Sequence, residues 1–278
     1  MSLKNQVDVA RQLLRNHPVA TVPKEVMELR NLLDLYDFPE PAKIKELVSH
    51  SPSLAGDLVR LANKLSQKSS HPKSIQSIDN AIDFLGLKNI KHYVFCVQIQ
   101  KMLDASLVNG LSYHSIVIAD TLVVLSKQLK LLNSAEAYMF GLVHDIGTFL
   151  FAELDQLHPT TFVSSLVNYY RLHQNEYDHF GTTHSAVGYV MTKEWGLRDE
   201  VCKAILLHHE DGLCRIKDPL IRQLTAMLEL AHFLTLEHKK DLHNTELEAV
   251  EMDAVKALEM TEDDLNQARH TLSKRLSH

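Results

Sequence analysis

Apolar residues recur every three to four positions along almost the whole chain, and no stretch alternates apolar with polar residues as a half-buried strand would. With only 9 Gly and 8 Pro in 278 residues, little interrupts that period. The pattern predicts an all-α protein. Leu3, Val7, Ala10, Leu13 and Leu14 place a first helix over about 3–16, and Val26, Leu29, Leu32 and Leu33 a second over 24–36. Pro41 and Pro52 each suit the first turn of a further helix, where the missing N–H goes unused. IDNAIDFLG ends at Gly86, a good stop, and an apolar helix over about 88–104 follows. Beyond Asn109-Gly110, Ser112 is read as the cap of a helix reaching about 130. Ser134 with Glu136 is read as the start of a helix that carries GLVHDIGTFLF. Later helices are expected over 160–175, 182–195, 199–209 and 219–238, then two amphipathic ones with acidic starts. This divides the chain into an N-terminal helical part (1–106), a helical core (107–240) and C-terminal amphipathic helices (241–278). No unit of roughly 30–45 residues repeats, so a solenoid is not expected.

Composition narrows the function classes. Hydrophobic residues at 45% and charged residues at 23% are ordinary for a soluble globular protein. No apolar run reaches the roughly 18 residues of a membrane span, and MSLKNQVDVARQLLRN lacks the apolar core of a signal peptide. Cys96, Cys202 and Cys214 form neither a C-x-x-C pair nor a disulfide framework, so a reducing cytoplasm is expected. A net charge of -6 speaks against a general nucleic-acid binder. The glycine-rich phosphate loops and the G-x-S-x-G elbow are missing. Arg60, Lys64, Lys68 and Lys73 form a basic strip, which is more often a solvated face than a phosphate site. Trp195 reads as a packing anchor.

Histidine is the unusual number, at 17 residues. His144 and Asp145 stand side by side in GLVHDIG, between Leu142, Val143 and Ile146. Burying such a pair costs several kcal/mol unless each side chain finds a partner. His114 in LSYHSIVIAD, His184 in FGTTHSAVGYVM, His208 and His209 in AILLHHED, and His232 in LELAHFLTL lie on other apolar helical segments. Each alone reads most simply as a hydrogen-bonded core residue. Together they raise a shared metal cavity, because imidazole with carboxylate suits iron, manganese or zinc. An aspartate can also bridge two ions, the arrangement that activates water for phosphoester cleavage.

With those residues in view, the sequence resembles the HDOD family, the HD-related output domains of bacterial signalling proteins, over roughly 15–235. The first half offers ATVPKEVMELRNLL, IKELVSHSPSLAGDLVRLANK and SIQSIDNAIDFLGLKNIKHYV; the second offers SYHS, GLVHDIG, HFGTTHSAVG and AILLHH. Ser51 stands where the family usually has an acidic residue before Pro52. The resemblance implies an N-terminal helical subdomain on a helical core related to the HD phosphohydrolases. In that superfamily a His, a His-Asp pair and a later Asp hold metal, and His114, His144 and Asp145 match the first three. His232 stands near the place of the later Asp. Relatives that cleave cyclic dinucleotides add histidines that His184, His208 and His209 match in order. They also carry a Lys where this chain has Thr148, an upstream carboxylate near Gly110, and a GYP signature that is missing here.

HDOD proteins as a group are regarded as regulatory and often catalytically degenerate, so the resemblance implies a signalling module that binds at most a structural metal. The alternative is a working metal-dependent phosphohydrolase acting on a nucleotide or another phosphoester, with one or two ions. The regulatory reading is preferred, since His for Asp removes a negative charge and the Lys is lost. A protein signalling partner and a small phosphorylated ligand are the expected partners, with no membrane contact and with dimerisation left open.

Overall fold

The computed structural model describes residues 2–34, 41–49, 51–69, 71–155, 169–210, 212–238 and 245–276. Among them no strand occurs, and the protein is all-α. In chain order the helices begin with α1 (Leu3–Asn16), α2 (Lys24–Asp34), α3 (Pro41–Ser49), α4 (Pro52–Gln67), α5 (Ile78–Leu85) and α6 (Ile90–Asp104). Next come α7 (Leu111–Leu129), α8 (Ser134–Val143), α9 (Thr148–Leu154), α10 (Tyr169–Phe180) and α11 (His184–Glu194). Last are α12 (Asp199–Leu207), α13 (Pro219–His238), α14 (Thr245–Ala257) and α15 (Glu262–Leu276). The expected helix over 160–175 falls largely on 156–168, outside the described residues; from Tyr169 the chain is helical to Phe180.

Around the core helices the structure departs from the sequence reading at two points, each for a local reason. α7 is entered from Gly110, and Ser112 instead donates to Asp104 Oδ1. α8 begins at Ser134 as read, and its cap is Asn133: the Asn133 side chain accepts from the Ala135 and Glu136 N–H groups while Glu136 reaches back, a closed capping box. The apolar run GLVHDIGTFLF is not one helix. It breaks after Val143 and resumes at Thr148.

The chain forms two compact units, one of Met1–Ala20 with Leu103–Ser277 and one of Thr21–Met102. A boundary at 106 puts α1 with the N-terminal part. Its packing puts it elsewhere: α1 lies on α11, where Thr182 Oγ1 donates to the Gln6 carbonyl at 2.9 Å. In the Thr21–Met102 unit, α4 packs on α3 and α5 around Ile44, Leu58, Leu61 and Ile82. Asn63 fastens the polar loop after α4 by bonding both the N–H and the carbonyl of Ile75, at 2.9 and 2.6 Å. The Leu-Ala-Asn end of α4 thereby fixes a segment that has no secondary structure of its own. In the basic strip, Arg60 is ion-paired to buried Asp57, which Lys101 also contacts.

The larger unit centres on α7. It packs on α8 and α13, and α11 joins α12, which joins α13. A side chain at Gly141 would meet the Ala119 Cα at 2.3 Å, so only glycine lets α8 lie this close to α7. The C-terminal helices fold back, α14 onto α13 and α15 onto α7, where Arg275 pairs with buried Asp120 at 2.8 Å.

Candidate metal centre

His144 and Asp145 sit in the tight turn between α8 and α9. There the backbone bonds shorten to i→i+3, with Ile146 N–H on the Val143 carbonyl and Thr148 N–H on the Asp145 carbonyl at 3.1 and 3.0 Å. Thr148 Oγ1 closes the same carbonyl at 2.8 Å. Gly147 is the contact that makes this turn a site. A Cβ on it would lie 2.0 Å from the His184 carbonyl and 2.6 Å from the Gly188 nitrogen, so the turn presses on the start of α11 and brings His184 beside His144.

All seven residues singled out in the sequence converge here, and none is more than 6% exposed. They form two groups, His114, His144, Asp145 and His232, and Asp145, His184, His208 and His209; within each, the donor atoms lie within 4.8 Å of one another. Asp145 belongs to both. Its Oδ2 is 2.9 Å from His144 Nε2 and 3.2 Å from His114 Nε2, and its Oδ1 is 3.4 Å from both His184 Nε2 and His208 Nε2. Neither oxygen is in hydrogen-bonding geometry.

Ring tautomers decide what this convergence means. A carbonyl oxygen can only accept, so His144, His208 and His232 must carry their protons on Nδ1, facing Gly141, Ile205 and Leu228 at 2.7, 2.6 and 3.0 Å. His184 does the same toward the Glu176 carboxylate at 2.7 Å. In the neutral rings four Nε2 lone pairs then point inward. His144 Nε2 faces His232 Nε2 at 3.1 Å, and His184 Nε2 faces His209 Nε2 at 2.9 Å. Lone pairs aimed at one another and at a carboxylate repel unless a cation or a shared proton lies among them. Six imidazoles, four of them fixed through their far nitrogens, and a carboxylate are donors suited to a first-row transition metal. The buried cluster can hold a metal ion.

Comparison with known proteins follows the same line. The family model of the HDOD domain matches residues 19–211. The chain belongs to the HDOD family. No curated protein matched it. Among solved structures, this HDOD chain is similar to an HDOD domain protein of unknown function from Geobacter sulfurreducens, at 22% identity, 99% coverage of both chains and a TM-score of 0.68. It is also similar to a candidate phosphohydrolase from Shewanella amazonensis SB2B, at 19% identity, covering 99% of this chain and 100% of that one, with a TM-score of 0.69. At such identities the likeness carries the fold. No helix among the described residues is long and apolar enough to cross a membrane.

The electrostatics of the HDOD core follow from burial and the shared carboxylate. Burial alone would raise the Asp145 carboxyl, but the charge of His144 and contacts with His114, His144 and His184 hold it well below the carboxylate range. Burial likewise works against charge on His184, yet Glu176 and Asp145 outweigh it and lift its pKa to about 10. For His209 and His232 burial dominates and both are pushed well below the usual value, with His208 lowered in the same sense.

Two residues of the site escaped the sequence reading. Glu176 is 2% exposed behind His184. His173 donates to or accepts from Ser185 Oγ at 2.9 Å, its ring 5.2 Å from that of His209. Burial and the charge of His184 depress its pKa to about 3. Both lie on α10 among the polar residues of HQNEYDHF and were not singled out in the sequence; the one signal was Leu172 and Phe180, four residues to either side of Glu176.

Proposed function

We propose that this HDOD protein is a cytoplasmic bacterial signalling module built around a buried transition-metal centre, acting on a protein partner rather than by turnover. His114, His144, Asp145 and His232 would hold one ion, and Asp145, His184, His208 and His209 a second. The observation that carries this reading is that potential ligand atoms on five segments converge in two groups that share Asp145 while all are buried. Such a centre stabilises the native helical core by linkage. It offers a phosphoester little approach, since catalytic sites keep a position open to substrate. The imidazole-rich donor set favours zinc or iron over manganese.

A second reading is phosphoester hydrolysis, favoured by one observation: Asp145 is shared by both donor groups, as a bridging carboxylate would be. Bound ions would supply Lewis acidity toward a phosphoryl oxygen and acidify water there. The chain's own part would be to hold the ions and exclude bulk water. Thr148, where related hydrolases carry Lys, is tied to the Asp145 carbonyl and offers no cation to a phosphate.

The test is elemental analysis of untagged protein purified without chelator, beside Asp145→Ala, with hydrolysis of a chromogenic aryl phosphate measured on the same samples. One to two equivalents of zinc or iron, lost in the variant and without turnover, are expected. A protein that takes up no metal even from excess ion overturns the centre. Metal-dependent turnover lost in the variant selects the hydrolase instead.

A further inference from the structure

We propose that Glu176 is a positioning residue of this centre: one carboxylate oxygen fixes the ring of His184 and sets a negative charge behind it, making the His184, His208 and His209 half the tighter of two ion sites. The inference rests on the metal reading above and deepens it. Glu176 Oε2 accepts both the backbone N–H of His184, at 2.8 Å, and its Nδ1–H, at 2.7 Å. His144, His208 and His232 hand their Nδ1 protons to backbone carbonyls instead. A carboxylate behind an imidazole makes its far nitrogen a better donor than a neutral carbonyl does, and loss of such a partner typically weakens metal binding about 10–100-fold.

Charge points the same way. Two divalent ions bring four positive charges, and Asp145 is the sole carboxylate among the seven converging residues. Glu176 adds a second negative charge from a different helix, but to the His184 half alone. The two halves are therefore unequal, and the first ion bound is the one His184 holds.

A purely structural role would be to cap the first turn of α11, whose opening N–H groups have no partner within the helix. Glutamine can cap as well as glutamate, since its carbonyl oxygen accepts both bonds, but it carries no charge. The experiment is a cobalt(II) titration of metal-free full-length protein, followed by visible d–d absorption with a chromophoric chelator in competition and far-UV circular dichroism on every variant. In wild type the tighter step is expected to weaken 10- to 100-fold in Glu176→Gln and to recover in Glu176→Asp, while His232→Ala spares it. Thr183→Ala, which removes the side-chain cap of α11 (Thr183 accepts from Ala186 N–H at 3.3 Å) without touching charge, should leave it in place. An unchanged tight step in Glu176→Gln overturns the proposal while leaving the metal centre standing. Equal weakening in Thr183→Ala and Glu176→Gln, or loss of the tight step in His232→Ala alone, overturns it too. Wild type that binds no cobalt removes the metal reading and this inference with it.

Discussion

Asp145 is the one side chain that both donor groups share, and its neighbours are lone-pair donors on every side. Asp145→Asn keeps its volume and removes its charge, so both ions should be lost together. His232→Ala removes a donor from one group only and should lower metal content by no more than half. Elemental analysis of the two variants checks this; full metal retention in Asp145→Asn would show that the carboxylate is not part of the site. The seven converging residues were legible because polar side chains interrupt apolar periodic runs, as in GLVHDIG and LELAHFLTL, where burial is written into the neighbours. Glu176 was not legible. Its neighbours Gln174, Asn175 and Asp178 are polar, and although Leu172 and Phe180 stand four residues to either side, a lone carboxylate in such a helix reads as solvent-facing until the fold buries it.

At the scale of elements, the turn carrying His144 depends on close approach rather than on propensity. Gly147→Ala forces a methyl group against the backbone of His184 and Gly188, neither of which can rotate away. Overpacking of this kind costs about 1–3 kcal/mol or more, and urea denaturation should show it at the upper end, with weakened metal retention. Stability within 0.5 kcal/mol of wild type, on the order of an ordinary surface change, would mean that α9 and α11 can part without cost. The same turn marks where sequence reasoning stops. Helix existence followed from period, and Pro41, Pro52 and Gly86 marked boundaries correctly. The break after Val143 was not read from GLVHDIGTFLF, whose apolar residues keep a helical spacing on both sides of it, because a switch to i→i+3 bonding is set by what packs on the turn. α15 offers a parallel case. Its start at Thr261 with Glu262, Asp263 and Asp264 was plain, and Thr261 and Asp264 do close a capping pair. Its docking through Arg275 onto Asp120 was not. Arg275→Ala removes the charge-assisted bonds of the guanidinium to a carboxylate that is 1% exposed and should cost about 1.5–3 kcal/mol by chemical denaturation. A cost below about 1 kcal/mol would place that pair with solvated surface bridges.

Across the whole molecule, the buried histidines make the metal-free protein sensitive to acid. His173, His208, His209 and His232 all have folded pKa values below their ordinary value, mainly through burial. Below the unfolded value of about 6.5 the unfolded chain takes up protons that the native chain refuses. Stability then falls with falling pH, by about 1.4 kcal/mol per pH unit for each such group. His184 acts in the opposite sense, because its folded pKa is raised to about 10. Its contribution is complete below about pH 6.5 and declines as pH rises toward its folded value. Asp145 does not titrate between pH 5 and 8, since its pKa is held below the carboxylate range and its contribution is lost only in stronger acid. The metal-free protein should therefore be most stable near pH 6.5, with a steep acid limb and a shallow alkaline one, readable as urea midpoints from pH 5 to 9. Metal binds the deprotonated ligands, so the gap between loaded and metal-free midpoints should widen as pH rises out of the acid range. A flat acid limb in the metal-free chain would mean that these rings meet water and can protonate in place. In that case the cavity is open, the argument from burial against turnover fails, and the hydrolase reading gains what the signalling reading loses.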